Sequence, residues 1–263
     1  MPTARKKPRT YDSAKIRAAV TAQFGHVAAA VATLTPEQLA RPTHLGAWTV
    51  RDLAAHLAWI IRSIPEAVAR PEPAEAELTV RNWPFATAGI AGQIDELARE
   101  TAAGEELGPL YEESATRLAE LLRVVPDGRL LGLRVGAMAF GPFMVTRTVE
   151  LVVHTDDLNR AAGLDIPIDR QALAACTRLL ADALADKAPG GSVELRIPPF
   201  AVVQCLEGPR HTRGTPPNVV ETDPLTWIRL ATGRTTWEEA LDGARLSASG
   251  ERADLGPLLP LMG

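Results

Sequence analysis

Only two cysteines occur in the 263 residues, Cys176 and Cys205. They stand apart and match no C-x-x-C spacing, which argues against a disulfide framework, a thiolate metal cluster or a dithiol redox centre. Both read as reduced, buried thiols without a catalytic role. No apolar run approaches the roughly 20 residues of a membrane span, and the N-terminus lacks the apolar core of a signal peptide, so the expected location is cytoplasmic. An excess of basic charge is missing too: 28 Lys and Arg face 32 Asp and Glu, for a net charge of −4. That balance points away from nucleic acid and anionic membranes. The basic group Arg5, Lys6, Lys7 and Arg9 is confined to the start of the chain and reads as a solvated tail. No repeat or low-complexity tract is apparent.

What is present is helical texture followed by a mixed one. Residues 13 to 33 are rich in Ala and Val, and TPEQ at 35 to 38 carries the Thr cap and first-turn Pro of a helix start. A longer helix begins near Thr49, with Thr49 and Asp52 spaced as a capping box, and Pro71 and Pro73 end or follow it. A third helical stretch runs from about Ala86 to Val124, with Gly108-Pro109 as its expected break. An irregular connection, PDGRLLGLRVGAMAFGPF, leads to a fourth helix ending near Ala162, and GLDIPID closes the unit. Four main helices on short loops predict an antiparallel bundle over 11–164. Beyond it, helix 170–187, short β-like runs (SVELRI, FAVVQCLEG, VVET, ARLSASG) and two capped helices predict a small α+β domain over 165–263. The expected fold is therefore mainly α with α+β.

Within the fourth helix, TVELVVHTDDLNRAAG places Glu150, His154 and Asp157 on one face, between Val153 and the pair Leu151 and Leu158. Thr155, Asp156 and Asn159 then form the expected solvated side. A buried carboxylate without partners costs several kcal/mol, so the trio requires a metal, a counter-charge or a hydrogen-bond set. Glu150 and His154, four apart, present two donors to one point, and His56 is the best third donor. It lies at the edge of the stripe made by Leu53, Leu57, Ile60, Ile61 and Ile64. Two His and one Glu leave a fourth position open, as catalytic zinc sites do, whereas the alternative for His56 is a hydrogen-bonded core residue. Asp157 is placed to accept the second ring N–H of a ligand histidine. Arg147, three residues before Glu150, is positioned either to orient a substrate anion or to pair with Glu150. His26 reads as structural, His44 as a loop residue and His211 as part of a polar turn.

WTVRDLAAHL with His56, followed by VELVVHTDDL with Glu150, His154 and Asp157, resembles the mycothiol-dependent maleylpyruvate isomerase family of the wider DinB-like bundles. DPLTWIRLATGRTTWEEAL and ARLSASGERADLGPLLPL resemble the sterol-carrier-like domain that follows the bundle in many members. The resemblance implies that His56, Glu150 and His154 bind zinc, or another divalent metal, and that mycothiol is the thiol activated there. It implies an isomerase or a thiol S-transferase acting on a small electrophile. Two other functions compete. One is a lipid or apolar-ligand carrier, with Leu225, Trp227, Leu230, Leu258, Leu259 and Leu261 lining a tunnel in the C-terminal domain. The other is a metal-dependent hydrolase with Asp157 or Asp52 as general base.

Overall fold

The computed structural model describes residues 9–208 and 217–262. His211 and the basic residues Arg5, Lys6 and Lys7 lie outside them. Helix α1 (Ser13–Val31) starts at Asp12, whose side chain accepts the Lys15 N–H. The short α2 (Pro36–Leu39) and the long α3 (Val50–Ala69) each open on a full capping box, Thr35 with Gln38 and Thr49 with Asp52. The expected stripe of α3, Leu53, Leu57, Ile60, Ile61 and Ile64, is wholly buried. Each such residue contributes about 1.5–3 kcal/mol relative to exposure, so together they far outweigh the roughly 1–3 kcal/mol cost of one unpartnered polar atom on the same helix. Arg70, extended before Pro71, ends α3.

Two expectations about the middle of the chain need correction. The third helical stretch is two helices, α5 (Ala91–Gly104) and α6 (Leu107–Val124), preceded by the single turn α4 (Trp83–Ala86), and the break falls at Glu105 rather than at Gly108-Pro109. Pro109 sits in the first turn of α6, where an N–H has no helical partner to lose, so it starts a helix instead of breaking one. Arg51 seals the break by donating to the carbonyl oxygens of Ala102 and Glu105 at 2.8 and 2.9 Å. The connection after α6 is also ordered. Strands β1 (Leu130–Leu133) and β2 (Gly136–Ala139) form an antiparallel hairpin whose turn is followed by Gly136 at φ +127°, a conformation that favours glycine.

Helix α7 (Phe140–Ala162) ends on Gly163 at φ +69°, as the Gly stop predicts. It is the central helix, packed by α1, α3 and α8 (Arg170–Lys187). Its expected solvated face is therefore covered: Thr155 and Asp156 are buried, and Asn159 binds the backbone of Ile166. Asp156 receives Nε and Nη2 of Arg229 at 2.8 and 2.6 Å, while Gln23 donates to Thr155 at 3.0 Å. A one-helix wheel cannot register a second domain closing over its polar side.

The C-terminal part is a four-stranded sheet of order β4-β3-β5-β6, with β3 (Val193–Ile197), β4 (Ala201–Cys205), β5 (Val219–Thr222) and β6 (Leu246–Ser249). β3 and β5 run parallel, and the other neighbours are antiparallel. Val193, Leu195 and Ile197 alternate inward in the period-2 pattern of a half-buried strand, and α8 covers the sheet on β4. Helices α9 (Pro224–Ala231) and α10 (Trp237–Asp242) follow β5, and the loop between them carries Arg234 back to the bundle. Among the described residues, no helix is long and apolar enough to cross a membrane.

Candidate metal centre

Two buried helices bring the predicted trio together. One donor atom each from His56 on α3 and from Glu150 and His154 on α7 lies within 4.8 Å of the others. His56 is 4% exposed, and its Nδ1 is a buried polar atom with no hydrogen-bond partner. Its ring meets that of His154 edge-on at 4.8 Å between centroids and lies 5.0 Å from Trp48 and 5.9 Å from Trp59. An enclosed nitrogen without a partner is an unfavourable arrangement. Two imidazoles and one carboxylate converging on one point form a donor set that fits a divalent cation.

The electrostatics separate the two histidines. Burial, helped by the charge of His154, pushes the His56 pKa down to about 3, so His56 is neutral at pH 7. Burial also disfavours charge on His154, but its hydrogen bonds to Asp157 and Glu150 outweigh this and raise its pKa above the ordinary value. Nδ1 of His154 lies 3.0 Å from Asp157 Oδ2, and Nε2 lies 3.5 Å from Glu150 Oε2. The ring is thus held with Nε2 toward Glu150. Burial would raise the pKa of Glu150, yet the hydrogen bond from His154 and the charge of Arg147 bring it down to about 2. Asp157 falls to about 2 in the same way, with burial opposed by His154 and Arg234. Arg234 donates through Nη2 to Asp157 Oδ2 at 2.9 Å, tying the C-terminal domain to the back of the site.

Arg147 is 7% exposed, and its nearest carboxylate oxygen, on Glu150, lies 4.0 Å away. Instead of a hydrogen-bonded ion pair, the guanidinium donates to Thr146 Oγ1 and stacks 4.4 Å from the centroid of Phe143, with Trp83 at 5.8 Å. A cavity of about 560 Å³ opens onto the trio and Arg147, with Trp48, Trp59 and Trp83 in its wall. Tryptophan at 59 stands three residues after His56, a helical spacing that marks it as a neighbour of the site. The β1–β2 hairpin and Met262, which complete the wall, arrive from distant parts of the chain and left no local signal.

Other predicted residues lie elsewhere. His26 Nδ1 is 3.0 Å from the Pro167 carbonyl oxygen, and His44 is exposed. Asp52 is held in the cap of α3, where it accepts from the N–H and hydroxyl of Thr49, both at 2.7 Å. Both cysteines are buried and free. Trp227, Leu230 and Leu261 are packed in the core.

The family profile described as the mycothiol maleylpyruvate isomerase N-terminal domain matches residues 20–159, and that described as a bacterial SCP ortholog matches residues 169–261. Uncharacterized proteins from two strains of Mycobacterium tuberculosis, H37Rv and CDC 1551, are each 34% identical over 141 residues, 53% of this chain and 53% of theirs. The chain thus spans about half the length of the curated relatives it matches. Crystal structures of the mycothiol-dependent maleylpyruvate isomerase and of a histidine-to-alanine mutant of it share the fold with a TM-score of 0.60, covering 93% of this chain and 95% of theirs at 14% and 13% identity. By its bundle, the chain belongs to the mycothiol maleylpyruvate isomerase N-terminal domain family, followed by a sterol-carrier-like domain.

Proposed function

We propose that the protein is a metal-dependent enzyme that uses a low-molecular-weight thiol, mycothiol, for isomerisation or S-transfer of the maleylpyruvate isomerase type, with zinc as the metal and the bacterial cytoplasm as its location. The observation that carries this reading is the convergence of one donor atom each from His56, Glu150 and His154 within 4.8 Å of one another, at a cavity that also holds Arg147. A divalent ion held by His56, Glu150 and His154 supplies a positive charge that favours thiolate over thiol at neutral pH. The sulfur has to come from outside the chain. Among the described residues no cysteine lines the cavity, and burial pushes the thiol of Cys176 far up and that of Cys205 to about 11.

The chain's own residues bind and orient. Asp157 holds the His154 ring through Nδ1 and so leaves Nε2 directed at the cavity. Arg147 offers a buried positive charge for an anionic substrate, and Trp48, Trp59 and Trp83 exclude water from the wall. Neither base considered for the hydrolytic alternative is free, because Asp52 is locked in a helix cap and both oxygens of Asp157 are engaged by Arg234 and His154. The carrier alternative finds Trp227, Leu230 and Leu261 already packed against their neighbours.

Zinc-loaded protein assayed with mycothiol and a panel of electrophilic alkenes should turn over only when both metal and thiol are present. His154→Ala should abolish this turnover. Turnover that needs no thiol, or that survives in His154→Ala, would overturn the reading.

A further inference from the structure

The cavity has three tryptophans in its wall, and its charges are unequal in availability. Arg234 lines it, but Nε and Nη2 are committed to Asp157 and Nη1 donates to the Thr232 carbonyl at 2.6 Å. Arg70 and Arg134 are exposed at the rim. Arg147 alone among these four is both buried and without a hydrogen bond to a carboxylate. Two aromatic rings, Phe143 and Trp83, lie beside its guanidinium. Aromatic faces continue away from it through Trp59 and Trp48 around His56.

From this geometry we propose that the substrate is a monocarboxylate with a flat apolar body, of the aryl or aryl-alkenoic acid class, its carboxylate on Arg147 and its ring among the tryptophans. The inference rests on the proposed function and narrows it. Apart from the metal position, which the thiol takes in the proposed function, a small dicarboxylate would find no second buried cation in the wall unless Arg234 abandoned Asp157. It would also leave the aromatic wall unfilled, whereas an aryl group buries its faces against Trp59 and Trp83. The volume of about 560 Å³ falls within the range of sites that enclose molecules of this size.

The test is binding of three probes, 2-naphthoate, 2-naphthamide and fumarate, to the full chain. Calorimetry and tryptophan fluorescence would be read on metal-free and on zinc-loaded protein, with metal content measured in the same samples. We expect 2-naphthoate to bind one site per chain, and both the neutral amide and the small dicarboxylate to bind at least about tenfold more weakly. Arg147→Met should erase the preference for naphthoate over naphthamide, and Trp59→Leu should weaken both aryl probes while leaving fumarate unchanged. Equal or tighter binding of fumarate, equal binding of the amide, or no binding of naphthoate would each overturn the proposal. The three-probe series on the unsubstituted protein decides this even if a variant fails to fold. Because the metal-free protein is read as well, failure of the substrate class is distinguishable from failure of the metal site, which the metal content reports separately.

Discussion

Asp156 and Glu150 lie less than two turns apart on the same helix, and both are carboxylates removed from bulk water, yet their surroundings differ in kind. Asp156 meets Arg229 of α9 in a two-point ion pair at 2.8 and 2.6 Å and has no further need. Glu150 faces a histidine at 3.5 Å, an arginine at 4.0 Å and, within 4.8 Å, a donor atom of His56. Charge burial alone does not identify a site, since Asp156 is buried and structural. Incomplete partnering beside a cavity separates the two, because a closed pair holds domains together whereas an open set awaits a ligand.

The comparison can be broken most forcefully at its structural end. Asp156→Ala should leave Arg229 without its partner at the domain junction and cost about 2–3 kcal/mol in urea unfolding, below the range for fully buried pairs because the Arg229 side chain keeps 23% exposure. Metal stoichiometry should be unchanged. Asp157→Asn tests the border between the two regions. It should weaken metal binding by about 10–100-fold in competition titrations, through a less firmly held His154, while still allowing full occupancy at saturating metal. His56→Leu should sharpen the contrast in the opposite direction: metal binding is lost, yet the metal-free protein gains about 1 kcal/mol because a buried unpartnered nitrogen is replaced by an apolar group. A loss of stability in that variant would show that His56 is satisfied within the fold. The smallest effect belongs to Asp52→Ala, which should cost about 1 kcal/mol of stability through the α3 cap and leave metal binding intact.

The pH dependence carries a sign as well. In the metal-free protein the folded-state pKa of His154 is raised, so its contribution to stability is present at low pH and is lost as pH rises through that value. Metal requires the neutral ring, so the stabilisation that added metal confers should grow over the interval that begins at the ordinary histidine pKa and extends above it, read as the shift in Tm. A metal-induced shift that is constant over that interval would contradict protonation of His154 in the metal-free form.

The site was more legible in the sequence than its enclosure. Glu150, His154 and Asp157 share a face because four- and three-residue spacings are local facts of an α-helix, and His56 is found from the stripe beside it. Asp156 reads as solvated on a helical wheel because its partner, Arg229, lies 73 residues away, and a wheel carries no information about a second domain. The hairpin was likewise hidden: Leu130–Leu133 and Gly136–Ala139 are short, glycine-containing strands, and they gain order by pairing with each other and by the N–H groups of Glu77 and Leu78 donating to the Ala137 carbonyl. Gly108-Pro109 misled for a simpler reason, since the same proline that breaks a helix interior is welcome in a first turn.

The central claim is that Glu150, His154 and His56 form an open set completed by a metal. Elemental analysis of untagged protein, beside His56→Ala and His154→Ala, tests it most directly. The account predicts about one zinc per chain in the unsubstituted protein and none in either variant, with helix content preserved by circular dichroism. Stoichiometric metal retained in both variants, or none bound by the unsubstituted protein after reconstitution, would contradict it.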